Sequence, residues 1–195
     1  MNKNLFLASC AKAAFALAAI VMMSTVFTAC SSSDDDNGGG TPPLPAPKAQ
    51  TVTIDDTEKP IVNAEYIDEK DGNYSLYLYL SADRKERVII TLNKDLHMTG
   101  SPVKLTEKEK KHTGKLYWVV EYDKPDGTIL IDTWGNPSED DYPVFTTGTL
   151  TISGSPESTI NIKLENGLVK GKDGKEYSLT ISYSGPMTEK KKKKK

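Results

Sequence analysis

Between Thr51 and Tyr183 the chain alternates apolar and polar residues with a period of two, the pattern of a β-strand with one buried face. The clearest alternations predict strands at 75–80, 88–92, 116–122, 128–132, 148–153, 159–164 and 177–183, with weaker ones at 52–54, 61–67 and 103–105. Tight turns are predicted at Asp71-Gly72, Asp126-Gly127, Asn166-Gly167 and Asp173-Gly174. Parallel pairing needs crossover helices, for which the sequence has no pattern. We therefore expect an all-β fold of roughly 8–10 short strands, either an antiparallel sandwich or an up-and-down barrel.

Composition places a single all-β domain at residues 50–187, a segment close to the commonest domain size. Residues 49–187 hold 16 Lys and Arg but 23 Asp and Glu, a formal charge of −7. An acidic domain without a basic stripe is not expected to bind nucleic acid. The two cysteines of the chain, Cys10 and Cys30, both precede this domain. We therefore expect no disulfide, cysteine-based metal site or cofactor within the domain.

The first 29 residues have the layout of a cleavable signal peptide. A short positive segment around Lys3 precedes an apolar stretch at 13–27, and about 20 apolar residues would be needed to span a membrane. The following segment, Val26-Phe27-Thr28-Ala29-Cys30, resembles the lipobox of bacterial lipoproteins, although Phe27 departs from the usual small aliphatic residue. The resemblance implies cleavage before Cys30 and acylation of its thiol. An uncleaved N-terminal anchor is the alternative.

The residues after Cys30 are expected to carry information on cellular location and to form a tether. The serine and aspartate run resembles the export signal of Bacteroidota lipoproteins, with candidate signal residues Ser32, Ser33, Asp34, Asp35 and Asp36. That resemblance implies an outer-membrane location, facing the extracellular side. The alternative is that the aspartates only solvate a linker. The Gly- and Pro-rich remainder completes an acylated tether at 30–49.

Taken together, the lipobox, the acidic run and the Thr/Ser-rich hairpins make the chain similar to small Bacteroidota cell-surface lipoproteins with an uncharacterised β-sandwich or calycin-like domain. The resemblance implies a location and brings no catalytic residues.

The titratable residues form no recognisable catalytic or metal-binding motif. His97 and His112 lie in predicted loops without metal-type spacing. Acidic groups at 68–71, 123–126 and 139–141 fall in predicted turns, where aspartate is favoured for backbone reasons. A bound calcium ion and paired catalytic carboxylates are the less favoured alternatives.

Aromatic side chains are the best candidates for ligand binding. Tyr77 and Tyr79 alternate with leucines and therefore share one face of a strand, and Tyr117, Trp134 and Tyr142 are candidates to extend an exposed set. Flat, stiff and amphipathic rings suit sugar stacking or protein contacts. The alternative is a strand buried on both faces.

These features predict a non-enzymatic binding or adhesion module on the cell surface, for glycan or for a partner protein. A lipocalin-like barrel that binds a small apolar ligand and, third, a carbohydrate-active enzyme remain open. Residues 188–195, which include Lys190 to Lys195, are expected to form a disordered tail. The alternative for this tail is contact with anionic lipid headgroups or lipopolysaccharide phosphates.

Overall fold

The computed structural model describes residues 50–191, which form twelve strands and one short helix. The strands make up 52% and helix 3% of the structure, which confirms the all-β class. The elements are β1 (Thr51–Ile54), β2 (Thr57–Pro60), β3 (Asn63–Lys70), β4 (Asn73–Tyr79), β5 (Arg87–Asn93), α1 (Lys94–His97), β6 (Val103–Lys104), β7 (Val119–Asp123), β8 (Ile129–Trp134), β9 (Thr147–Gly154), β10 (Ile160–Lys170), β11 (Glu176–Gly185) and β12 (Thr188–Glu189).

The strands form two six-stranded sheets. Sheet 1 has the order β2-β1-β11-β10-β9-β6, and sheet 2 has the order β12-β3-β4-β5-β7-β8. All neighbours are antiparallel except β12, which runs parallel to β3. The sheets do not close into a barrel, so the sandwich alternative is confirmed and the barrel alternative is wrong. The lipocalin-like interpretation requires a closed barrel, so this architecture does not support it.

One hydrophobic core lies between the two sheets. It joins inward-facing residues of sheet 1, such as Ile152 and Ile181, to those of sheet 2, such as Leu76 and Leu78. The period-two alternation produces this arrangement, because successive side chains of a strand point to opposite faces. Each fully buried Leu or Ile side chain contributes about 1.5–3 kcal/mol relative to an exposed one.

Three of the four predicted turns lie between neighbouring strands. Asp71-Gly72, Asp126-Gly127 and Asp173-Gly174 connect β3 to β4, β7 to β8 and β10 to β11. The fourth prediction was wrong, since Asn166 and Gly167 lie inside β10 at a break in its pairing register. Asn166 has a φ of 53°, and a Cβ atom on Gly167 would lie 2.4 Å from the carbonyl oxygen of Leu179. The same residue types that make a tight turn here make a β-bulge.

The C-terminal boundary differs from the expected one at Met187. Thr188 and Glu189 form β12, so ordered structure continues into the segment expected to be disordered. Residues 192–195 lie outside the described residues. Among residues 50–191, no helix is long and apolar enough to cross a membrane.

Candidate functional site

The outer face of sheet 2 brings together residues that are far apart in sequence. Tyr77 of β4 pairs with Ile89 of β5, which in turn pairs with Glu121 of β7. Glu121 also lies opposite Asp132 of β8. These residues alternate with buried core residues, so their side chains form one row on the outer face. Trp134 lies on the same face, two residues beyond Asp132.

A cleft lies beside the end of β8. Trp134 ends this strand and Tyr142 lies in the loop that follows, with ring centroids 5.2 Å apart and ring planes at 87°. The larger part of the cleft has a volume of about 410 Å³ and is lined by Asp132, Asp141, Tyr142, Pro143, Lys170, Gly171 and Lys172. A smaller part of about 190 Å³ lies between Val119, Asp132, Trp134 and Tyr142. We call the two parts together the Trp134–Tyr142 cleft.

The cleft combines aromatic surface with charged groups of both signs. The Asp132 carboxylate lies 2.7 Å from the Lys172 ammonium group, and this hydrogen bond is the main reason that the pKa of Lys172 is raised. Asp141 and Lys170 are exposed at the rim. Aromatic faces with nearby hydrogen-bond donors and acceptors suit a ligand that has apolar C–H patches and hydroxyl groups.

Lys108 positions the loop that carries Tyr142. Its ammonium group donates hydrogen bonds to the carbonyl oxygens of Trp134, Glu139 and Tyr142, at 2.8, 2.9 and 2.8 Å. An ammonium group has three N–H donors, so all three are used. Burial lowers the pKa of Lys108, while Asp140 and Glu139 oppose that shift. The sequence gives no signal of this role, because the three carbonyl groups lie 26, 31 and 34 positions from Lys108.

Three interacting carboxyl groups, those of Glu121, Asp123 and Asp132, lie on the outer face of sheet 2 next to the cleft. Burial, followed by the charges of Asp123 and Asp132, raises the pKa of Glu121 to about 7. Asp123 is almost fully buried, and its Oδ2 lies 2.7 Å from Nε of Arg87. Near neutral pH, Glu121 is therefore partly protonated, unlike an ordinary glutamate.

We predict that Glu121→Gln stabilises the protein at pH 8 but not at pH 4.5. The folded state holds the Glu121 proton more tightly than the unfolded chain, so wild-type stability falls as pH rises from about 4.5 to 7. Gln is neutral throughout and avoids this loss. Each pKa unit corresponds to about 1.4 kcal/mol, and solvent screening at a half-buried site reduces the expected gain to about 1–2 kcal/mol.

Urea unfolding at both pH values measures this effect. Glu176→Gln is the control, because Glu176 is exposed on sheet 1 and its replacement should change stability little at either pH. An equal effect of Glu121→Gln at the two pH values would show that Glu121 is not proton-linked to folding.

The tyrosine pair on β4 is not an open platform. Tyr77 and Tyr79 share the outer face as expected, with ring centroids 6.1 Å apart and ring planes at 14°. Tyr79, however, is only 1% exposed, and Tyr77 is half-buried. Glu65, Arg84 and Lys190 cover Tyr79, so β4 fits the alternative of a strand buried on both faces. The covering residues come from distant parts of the sequence, which alternation within β4 does not reveal.

Tyr117 belongs to a different cluster, around Glu109. Its ring stacks on His112 at a centroid distance of 3.9 Å. The Glu109 Oε2 atom lies 3.1 Å from Nε2 of His97 and 3.2 Å from Nε2 of His112. His97 is only 2% exposed, so its interpretation as a surface-loop residue was wrong. No group of three or more His, Cys, Asp or Glu side chains within residues 50–191 has the arrangement of a metal site.

The structure thus brings Trp134 and Tyr142 into ring contact, whereas Tyr117 stacks on His112 and Tyr77 on Tyr79. Asp132 and Lys172 were not predicted as site residues. Their ion pair joins strand β8 to the turn between β10 and β11, 40 positions away in sequence. Cys30 and the export-signal residues lie outside the described residues. Comparison of the chain with protein families, curated proteins and solved structures gives no match.

Proposed function

We propose that the chain is a lipoprotein anchored through Cys30 on the cell surface, and that its domain binds glycans in the Trp134–Tyr142 cleft. The observation that carries this proposal is the pair of partly exposed aromatic rings, set at 87° beside an ion-paired carboxylate and ammonium group. Pyranose rings have apolar faces that stack on aromatic side chains, and their hydroxyl groups bond to charged side chains. The larger part of the cleft is lined by an aromatic ring, that of Tyr142, and by the charged groups of Asp132 and Lys172.

Binding without hydrolysis fits the carboxyl groups of this cleft. A glycosidase of the common type needs two carboxyl groups that flank the scissile bond. Asp132 is paired with Lys172, Asp141 is exposed at the rim, and Glu121 does not line either part of the cleft. The residue with the raised pKa is therefore not among the residues that line the proposed glycan site.

A glycan array tests the proposed function. The protein lacking residues 1–30 is labelled and applied to immobilised bacterial, plant and host glycans, with free glycan as the competitor. We expect a related group of glycans to bind, and free glycan to compete. If no glycan binds at micromolar protein concentration, the proposal is wrong. Release of reducing ends from a bound glycan would identify an enzyme and contradict the non-enzymatic role.

The anchor is tested separately by replacing its cysteine. We expect Cys30→Ser to abolish incorporation of labelled palmitate and sensitivity of the domain to protease added to whole cells. Cys10→Ser is the matched control, because Cys10 lies in the segment predicted to be removed, and it should change neither result. Labelling and surface exposure that persist in Cys30→Ser would contradict the anchor.

A further inference from the structure

The C-terminal segment covers one edge of sheet 2. Strand β12 pairs in parallel with β3, where Thr188 lies opposite Glu65 and Glu189 opposite Tyr66. The backbone N–H of Lys190 donates a 2.7 Å hydrogen bond to the carbonyl oxygen of Tyr66. An edge strand presents hydrogen-bonding groups to any extended segment that approaches it. Here the chain's own C-terminal segment takes that position.

The same segment places an ammonium group on the tyrosine pair. The Nζ atom of Lys190 lies 4.9 Å from the ring centroid of Tyr77 and 5.9 Å from that of Tyr79. It also donates a 3.2 Å hydrogen bond to the hydroxyl group of Tyr79. Both distances to the rings are within the range of cation–π interactions.

A buried carboxylate, Glu65, lies next to the place on the tyrosine pair where the Lys190 ammonium group binds. We call this place the ammonium site. The Tyr79 hydroxyl donates to Glu65 Oε2 at 3.2 Å, so its oxygen lone pairs remain available to accept from Lys190. Glu65 is only 6% exposed, and it is held in place by Arg84 at 2.8 Å and by Asn63 at 3.2 Å. Glu65 polarises the Tyr79 hydroxyl toward the cation, which favours an ammonium group over a neutral side chain.

The occupant covers only a small part of this edge. Within residues 50–191, strand pairing on the β12 side of the eight-residue β3 involves Thr188 and Glu189, both exposed, with one further backbone hydrogen bond from Lys190. The last buried side chain before them is Met187, which is 7% exposed and packs on the core. Release of residues 188–191 therefore uncovers the edge and the ammonium site without opening the core.

We propose that the edge of β3 and the Tyr77–Tyr79 pair form a binding site for an extended, lysine-bearing peptide, with residues 188–190 as its intramolecular occupant. The partner is a polypeptide with an exposed extended segment, which adds a strand to β3 and inserts a lysine over the tyrosines. A longer segment pairs with more of β3 than β12 does and so displaces it. This site is separate from the Trp134–Tyr142 cleft, and it does not rest on glycan binding.

Fluorescence anisotropy with labelled peptides tests the site. The first probe has the sequence of residues 185–191, and the second carries Lys190→Gln within the same sequence. The proteins, purified in detergent, are the full chain, a chain that ends after Met187, that shortened chain with Tyr77→Ala, and the full chain with Lys190→Gln. Urea unfolding of each protein verifies that it is folded.

We expect the chain ending at Met187 to bind the lysine probe roughly tenfold more tightly than the full chain, because a tethered competitor acts at millimolar effective concentration. The glutamine probe should bind this shortened chain roughly fivefold more weakly than the lysine probe. Tyr77→Ala should remove that difference between the probes. The full chain with Lys190→Gln should bind the lysine probe more tightly than wild type, since its own occupant lacks the ammonium group.

The proposal is overturned if the folded shortened chain binds neither probe, or binds both equally. If the shortened chain does not fold, the full chain with Lys190→Gln decides, and binding no tighter than wild type overturns the proposal. Glycan binding in the cleft is unaffected by any of these outcomes.

Discussion

Replacement of Glu109 by Ala is expected to lower the free energy of unfolding by about 3 kcal/mol, because it leaves buried donors without an acceptor. Glu109 Oε1 accepts the backbone N–H of Trp118 at 2.7 Å. Its Oε2 atom lies within ion-pair distance of His97 and His112. His97 and Trp118 are buried, so water does not replace the lost contacts. Urea unfolding at pH 7 measures the loss.

The matched control is Glu107→Ala, two residues earlier in the same segment. Its carboxylate is 69% exposed and lies 3.7 Å from Lys104, so its loss should cost at most about 0.5 kcal/mol. A loss below about 1 kcal/mol for Glu109→Ala would mean that the cluster does not organise this segment.

The cost of Glu109→Ala should also depend on pH. Burial opposes ionisation of Glu109, but its close contact with His97 and the hydrogen bonds from the Trp118 N–H and His112 outweigh burial and lower its pKa. A lowered folded-state pKa contributes stability above the unfolded value, near 4.5, and this contribution is lost as pH falls through the folded value. The difference between wild type and Glu109→Ala should therefore be complete at pH 7 and shrink below about pH 4.

Replacement of Trp134 by Ala is expected to weaken binding of an array-selected glycan roughly 30-fold or more, the effect of losing about 2 kcal/mol at a binding hot spot. Trp134 lines the smaller part of the cleft and meets Tyr142 edge to face, so its loss removes a wall and leaves Tyr142 without its ring contact. Isothermal titration calorimetry on the protein lacking residues 1–30 measures the affinity.

Tyr77→Ala is the control for this prediction. Tyr77 is an aromatic residue on the same face of sheet 2, but Lys190 lies over its ring. We expect its replacement to change glycan affinity less than roughly threefold. If Tyr77→Ala abolished binding while Trp134→Ala did not, the ligand would bind at the tyrosine pair, and the cleft would be the wrong site.

The strands follow from the sequence because burial of one face requires alternation. Ile160, Ile162 and Leu164 of β10 are all buried, as the pattern predicts. Pairing between distant strands does not follow, since alternation carries no information on which strand is the neighbour. The sandwich and the barrel therefore remained alternatives until the order of the two sheets was known.

The site was predictable only in part for the same reason. Trp134 and Tyr142 are eight residues apart, so their contact was within reach of sequence reasoning. Lys190 and Tyr79 are 111 positions apart, and only the pairing of β12 with β3 brings them together. The charged segment at 105–112 has no apolar pattern, so the contacts that Lys108 and Glu109 make with distant parts of the fold could not be predicted.

Nuclear magnetic resonance titration of the ¹⁵N-labelled protein lacking residues 1–30 with the selected glycan tests the central claim most directly. We expect the largest shift changes at the indole N–H of Trp134 and at the backbone amides of residues 132–142 and 170–172, which surround the cleft. Amides of sheet 1 away from the cleft, such as those of β1, should not change. Changes confined to sheet 1 or to the tyrosine pair, with the Trp134 indole unaffected, would contradict glycan binding in the Trp134–Tyr142 cleft.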